Sequence, residues 1–259
     1  MRYLSLILVL MLMSPSAHAE LKKQVLDYQQ GDTTLEGYLV YDDAIEGKRP
    51  GIIVVHDWMG FGPYGNGRAE QLAQLGYTAF AVDIYGKGVR PKNQDEAGQQ
   101  AGIYKGDRKL MRARAKAGLD ALLAQPTVDP RHVAAIGYCF GGTTVLEMAR
   151  AGMPLAGAVS FHGGLSTPMP AQKDGLKAKI LALHGADDPF VPPSEVEDFQ
   201  KEMNSAGADW QMMYYSGAVH SFTSPDAGND NSKGAAYNEK ADQRSWEAMK
   251  QFFSEIFKQ

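Results

Sequence analysis

A single cysteine in 259 residues leaves this chain no intramolecular disulfide, so a small disulfide-stapled scaffold is excluded and the core must come from burial alone. Excess charge of either sign is also lacking. Twenty-six basic against thirty acidic residues give a net charge of −4, which removes the electrostatic case for a nucleic-acid partner. Long apolar runs are scarce. The one from Leu4 to Met13 is about half the ~20 residues that a membrane-spanning helix needs. Closely spaced Cys/His ligand motifs, internal repeats and low-complexity segments do not occur, so neither a metal nor a solenoid is expected.

What is present is an ordinary globular composition, 44% hydrophobic and 22% charged. The first nineteen residues stand apart. Arg2 supplies a positive start, the apolar run follows, Ser14-Pro15-Ser16 breaks it, and Ala17-His18-Ala19 offers the small-x-small site of a signal peptidase. Residues 1–19 are therefore expected to be a signal peptide without stable membrane anchoring, and residues 20–259 a single domain in the periplasm or outside the cell. In such an oxidising compartment a lone thiol is either reactive or protected.

Short apolar runs alternate with helical patterns along the mature chain. Strands are expected at residues 23–27, 34–41, 51–56, 77–84, 133–136, 155–161, 179–183 and 210–215. Helices are expected at 67–75, 107–125, 141–150, 194–205 and 237–257, and residues 85–106 as a long loop or short helix. The pattern predicts an α/β fold: a mostly parallel sheet of about eight strands, the first two antiparallel, with helices on both faces.

The lone Cys139 lies in Gly137-Tyr138-Cys139-Phe140-Gly141-Gly142, directly after the apolar run Val133-Ala134-Ala135-Ile136. This is the strand–nucleophile–helix turn of a G-x-S-x-G elbow with sulfur in place of oxygen. From composition alone, glycine at both flanking positions is expected for only about 1% of cysteines. Against this stands the ordinary fate of a free cysteine, a small buried hydrophobe. A thiol attacks only as thiolate, so it needs a base, and the base needs a carboxylate to fix its tautomer.

Reactive groups of parallel sheets collect at the carboxyl ends of the strands. Those ends supply Asp188 in His184-Gly185-Ala186-Asp187-Asp188-Pro189 and His220 in Ser216-Gly217-Ala218-Val219-His220-Ser221-Phe222. With Cys139 they keep the chain order nucleophile, acid, histidine of the α/β-hydrolases. Asp187 competes for the acid role; Asp188 is preferred for its place in Gly-x-x-Asp-x-x-Val, ending at Val191. His132 and His184 are expected to be structural, and His56 and His162 to line the active edge. The N–H of Phe140 and one from Trp58 or its neighbour would form an oxyanion hole. Trp58, Tyr85, Phe161 and Phe222 are the candidate apolar walls.

These residues resemble the dienelactone hydrolase family, the cysteine branch of the α/β-hydrolase fold, over essentially the whole mature chain. The elbow, residues 184–192 and residues 215–222 carry the likeness. The resemblance implies a Cys-His-Asp triad opening small esters or lactones through a thioester, without metal or organic cofactor. It also implies a carboxylate that touches the resting thiol, where this chain has Asp57 in place of the family's glutamate. Members that act on dienelactone hold its carboxylate with two basic side chains. Lys87 matches one, whereas Thr223-Ser224-Pro225 stands at the other, so the clamp is halved. The competing functions are a ligand-binding or thiol redox protein on the same fold, and a thioesterase.

Overall fold

The structure is a computed structural model that describes residues 20–258. The expected signal peptide lies outside the described residues. Eight strands form one sheet: β1 (Leu21–Gln30), β2 (Thr33–Asp42), β3 (Arg49–Val55), β4 (Thr78–Val82), β5 (Val128–Tyr138), β6 (Gly157–Phe161), β7 (Lys179–Gly185) and β8 (Trp210–Tyr215). Their order is β1-β2-β4-β3-β5-β6-β7-β8. The β1–β2 and β2–β4 pairs are antiparallel and every later pair is parallel.

Among the described residues five α-helices lie between the strands, α1 (Pro63–Gln74), α2 (Gln94–Gly106), α3 (Arg108–Leu123), α4 (Phe140–Arg150) and α5 (Pro193–Ala206), and a sixth, α6 (Glu239–Ile256), follows the last strand. Alternation along β3 divides the core between the two faces of the sheet. Ile53 and Val55 pack with Met111 and Leu119 of α3, Leu146 of α4 and Phe199 of α5. Ile52 and Val54 face the other way, with Leu72 of α1 and Met249 and Phe253 of α6. Because both faces are covered, β3 is apolar at almost every position rather than at alternate ones.

Residues 85–106, expected as a long loop or short helix, contain the thirteen-residue helix α2. Asn93 caps it: its Oδ1 accepts the Glu96 N–H at 2.9 Å, and Glu96 Oε1 accepts from Asn93 Nδ2 at 3.0 Å. The apolar stripe is only Ala97, Ala101 and Tyr104, and glycines occupy 98, 102 and 106, so its helical periodicity is faint in the sequence.

Candidate active site

The tight turn between β5 and α4 places Cys139 at φ 53° and ψ −111°, a conformation that L-residues avoid. The turn requires bare backbone beside it. A Cβ on Gly137 would lie 2.1 Å from the Gly141 carbonyl oxygen, and one on Gly141 would lie 2.3 Å from that of Val55. The four non-glycine residues with positive φ among the described residues are Cys139, His162, Asp174 and Ser221. Three of them thus sit at or beside the expected reactive groups, as strain at functional sites tends to do.

The loop between β8 and α6 carries His220, anchored by its own N–H to Gly234 O at 3.1 Å and by Asp187 N–H to Ala218 O at 3.0 Å. Asp188 Oδ2 meets His220 Nδ1 at 2.8 Å, while Asp188 Oδ1 accepts the Phe190 N–H at 2.9 Å. Asp187 points elsewhere, its Oδ2 accepting the Gly217 N–H at 3.0 Å. With Nδ1 taken by Asp188, the opposite ring nitrogen of His220 is left for Cys139. Burial opposes charge on His220, but the adjacent Cys139 sulfur and Asp188 outweigh it and raise its pKa to about 10. His162 and Phe190 stand edge-on to the His220 ring, with centroids at 5.3 and 5.5 Å.

His162 is also close to Cys139, but both its ring nitrogens are engaged. Nδ1 accepts the Cys139 backbone N–H at 3.1 Å, and Nε2 meets Thr223 Oγ1 at 2.7 Å. His56 is buried beneath the site. It accepts the Ile84 N–H on Nε2 at 3.2 Å and donates from Nδ1 to Asp57 O at 2.5 Å. His132 pairs with Asp129 at 3.0 Å, and His184 is buried against Tyr214.

Phe140 is the first residue of α4, so its N–H has no carbonyl one turn back and is directed out of the helix start. Trp58 is half-buried, and its carbonyl accepts the Tyr85 hydroxyl at 3.0 Å. Tyr104 in turn donates to Tyr85 O at 2.9 Å, which ties α2 to this wall. Burial raises the Tyr85 pKa, and the nearness of Cys139 and Asp57 raises it further. Asp57 accepts the Met59 N–H at 2.8 Å in a local turn. Burial raises its pKa; Asp226 adds to the rise and His220 opposes it.

Three of the expected substrate contacts have other neighbours in the structure. Phe161 and Phe222 are 1% and 0% exposed and pack in the core on the α1–α6 face, so they offer no surface to a ligand. Lys87 turns back toward the β1–β2 hairpin, its Nζ 2.5 Å from Asp27 Oδ2 and its N–H on Thr34 O at 2.9 Å. The turn itself is responsible, since Asp83 Oδ1 accepts the N–H groups of both Tyr85 and Gly86 and reverses the chain. The neighbouring Arg90 is held by Glu36 and lies over the Phe61 ring. The support around the site from Thr223, Tyr64 and Phe190 carried no motif in the sequence.

The strand order, the elbow and the acid and histidine loops define an α/β-hydrolase fold. The family model of the dienelactone hydrolase family matches residues 35–257. A dienelactone hydrolase-like promiscuous phosphotriesterase from metagenomic libraries superposes with a TM-score of 0.88 at 41% identity, covering 92% of this chain and 99% of that one. A Synechocystis protein named as a candidate carboxymethylenebutenolidase is 27% identical, over 90% of this chain and 97% of its own. An acylaminoacyl peptidase from Pyrococcus horikoshii, at 14% identity, shares the fold with a TM-score of 0.68 over 90% of this chain and 41% of its own. The chain belongs to the dienelactone hydrolase family and is a hydrolase of the ester and lactone class.

Among the described residues, no cluster of three or more His, Cys, Asp or Glu side chains is placed to hold a metal ion. No described helix is long and apolar enough to cross a membrane.

Proposed function

We propose that the protein hydrolyses small uncharged esters or lactones through a thioester on Cys139, with His220 and Asp188 completing the triad. The observation that carries this reading is the division of labour between two histidines. His220 has one nitrogen on Asp188 and the other left for Cys139, whereas His162 has none to spare.

The Cys139 thiolate adds to the carbonyl carbon, and the oxyanion that forms is held by the N–H groups of Phe140 and Trp58. His220 gives its proton to the leaving alkoxide as the carbon–oxygen bond breaks, leaving an acyl thioester. The neutral imidazole then takes a proton from water, whose oxygen attacks the thioester. Collapse releases the carboxylic acid and restores the thiolate–imidazolium pair. Trp58, whose carbonyl is held by the buried Tyr85 hydroxyl, walls the acyl site, and Asp57 stands close enough to influence His220.

Uncharged substrates are favoured because the nearby bases are engaged by carboxylates, Lys87 by Asp27 and Arg90 by Glu36. Asp57 and Asp226 add negative potential on the same side. The test is Cys139→Ala assayed with a short-chain chromogenic ester. Turnover should fall at least about a thousandfold with the fold intact. Turnover near the parent rate would reject the nucleophile; rapid alkylation of the wild-type thiol with no ester cleavage would favour a redox role.

The same proposal includes export, supported by the pattern of residues 1–19. A periplasmic or secreted product whose amino terminus is Glu20 would support it, and a cytoplasmic product retaining Met1 would not.

A further inference from the structure

Behind the elbow lies a buried chain of hydrogen bonds that runs along the carboxyl ends of the strands to α1 and α6 and that the proposed chemistry does not use. It begins at the backbone of Cys139, whose N–H is shared between Phe161 O at 3.0 Å and His162 Nδ1 at 3.1 Å. A backbone N–H can only donate, so His162 Nδ1 is the acceptor and Nε2 carries the proton. That proton points at Thr223 Oγ1, 2.7 Å away. Thr223 can then donate its own hydroxyl proton to Tyr64 Oη at 2.7 Å, and Tyr64 returns its proton to the Thr223 carbonyl at 3.1 Å. Every donor in the chain has an acceptor, and only one tautomer of His162 permits it.

The far end is clamped. Arg68 of α1 donates to Thr223 O at 3.0 Å and to Asp242 of α6 at 2.6 Å, tying both helices of that face to the loop that follows His220. His162 and Thr223 are 2% and 0% exposed, so solvent does not substitute for these bonds. The His162 backbone is itself held at φ 41°, with its N–H on Leu183 O at 2.8 Å.

We propose, resting on the reading of Cys139 as the nucleophile, that His162 is a positioning residue. It is a neutral imidazole, locked in the Nε2–H tautomer by Thr223 and Tyr64, that holds the Cys139 backbone and the edge of the His220 ring in register. One side chain then sets both members of the thiol–imidazole pair. Protonation of Nδ1 would turn the acceptor into a donor facing the Cys139 N–H. Burial, the neighbouring His220 and, to a lesser degree, Arg68 and His184 all disfavour that cation and hold the His162 pKa well below its ordinary value.

The test compares His162→Phe, His162→Asn and Thr223→Val by two readouts, kcat/KM on a chromogenic ester and the pH profile of Cys139 alkylation by iodoacetamide. His162→Phe keeps the ring but loses the acceptor. His162→Asn keeps an acceptor at the Nδ1 position and tolerates positive φ. The expected result is a loss of about tenfold or more in kcat/KM for His162→Phe, with the alkylation midpoint moved upward. His162→Asn should recover most of both, and Thr223→Val should shift both in the same direction as His162→Phe.

A role in packing alone would lower the melting temperature without moving the alkylation midpoint. If His162→Phe does not fold, Thr223→Val decides. Values of both readouts within about twofold of the parent would overturn the proposal, since steric fit then suffices to place the elbow. Wild-type protein that alkylates readily but cleaves no ester would reject the nucleophilic role, and the comparison of midpoints would still decide the positioning role.

Discussion

At the scale of single residues, the proposed mechanism asks His220 to be an acid in one step and a base in the next. In the resting enzyme burial works against its charge, but the Cys139 sulfur and Asp188 hold its pKa at about 10. In the proposed mechanism acylation leaves an uncharged thioester on Cys139 and so takes away the largest cause of the elevation, which releases the imidazole to act as base toward water. For alkyl esters, kcat/KM should fall as pH rises through about 10, because His220 then lacks the proton for the leaving alkoxide; a flat profile there would contradict the assignment. Asp188→Asn should lower kcat by about a hundredfold or more with the fold retained, since the amide no longer enforces the tautomer. Asp187→Asn, whose partner is the Gly217 N–H, should change kcat little. Lys87→Ala should leave kcat/KM within about twofold for anionic and neutral esters alike, because its ammonium is paired with exposed Asp27.

Among the elements, α4 bears the heaviest electrostatic load. Glu147 on its buried face is 0% exposed and meets Arg112 at 2.7 Å, Arg150 at 3.1 Å and Arg108 at 3.9 Å. Arg150 continues to Glu202 of α5 at 2.7 Å and to Leu165 O at 2.6 Å, so the cluster ties α3, α4 and α5 to the loop after His162. Glu147→Ala should cost about 3–5 kcal/mol by stranding buried guanidinium groups, read from denaturant midpoints. Removing the exposed Lys116–Asp120 pair of α3 should be nearly silent.

Legibility of the elements followed the strength of the patterns that specify them. The strand β3 is legible as a β-branched run, β4 to β7 as short apolar runs, and α3 as an apolar stripe. The helix α2 was obscured by alanine and glycine. Positions along the chain told which loop bears Cys139, Asp188 and His220, but not where side chains turn. That is why Phe161 and Phe222 enter the core and Lys87 swings toward β1. The relay through Thr223 and Tyr64 joins residues 159 positions apart, and no local pattern encodes such a contact.

For the whole molecule, the buried neutral histidines make stability depend on pH. Burial lowers the His56 pKa to about 4, and protonation would also set its Nε2 against the Ile84 N–H. The folded value lies below the unfolded one of about 6.5, so the stabilisation is complete above about 6.5 and is lost as pH falls toward 4. His162 acts in the same direction. The loss attributable to His56 is about 3 kcal/mol, and His56→Gln, whose amide does not titrate, should flatten the slope of denaturant midpoint against pH over that window.

The proposed mechanism passes through a covalent acyl group at one sulfur. It is tested most directly by quenching the enzyme in acid during turnover of a nitrophenyl butyrate and weighing the peptide that contains Cys139. His220→Asn serves beside the wild type to slow release of the acyl group. The peptide should gain the mass of one butyryl group, removable by hydroxylamine and absent from Cys139→Ala. Steady turnover with Cys139 unmodified in both proteins would contradict the thioester and the triad together.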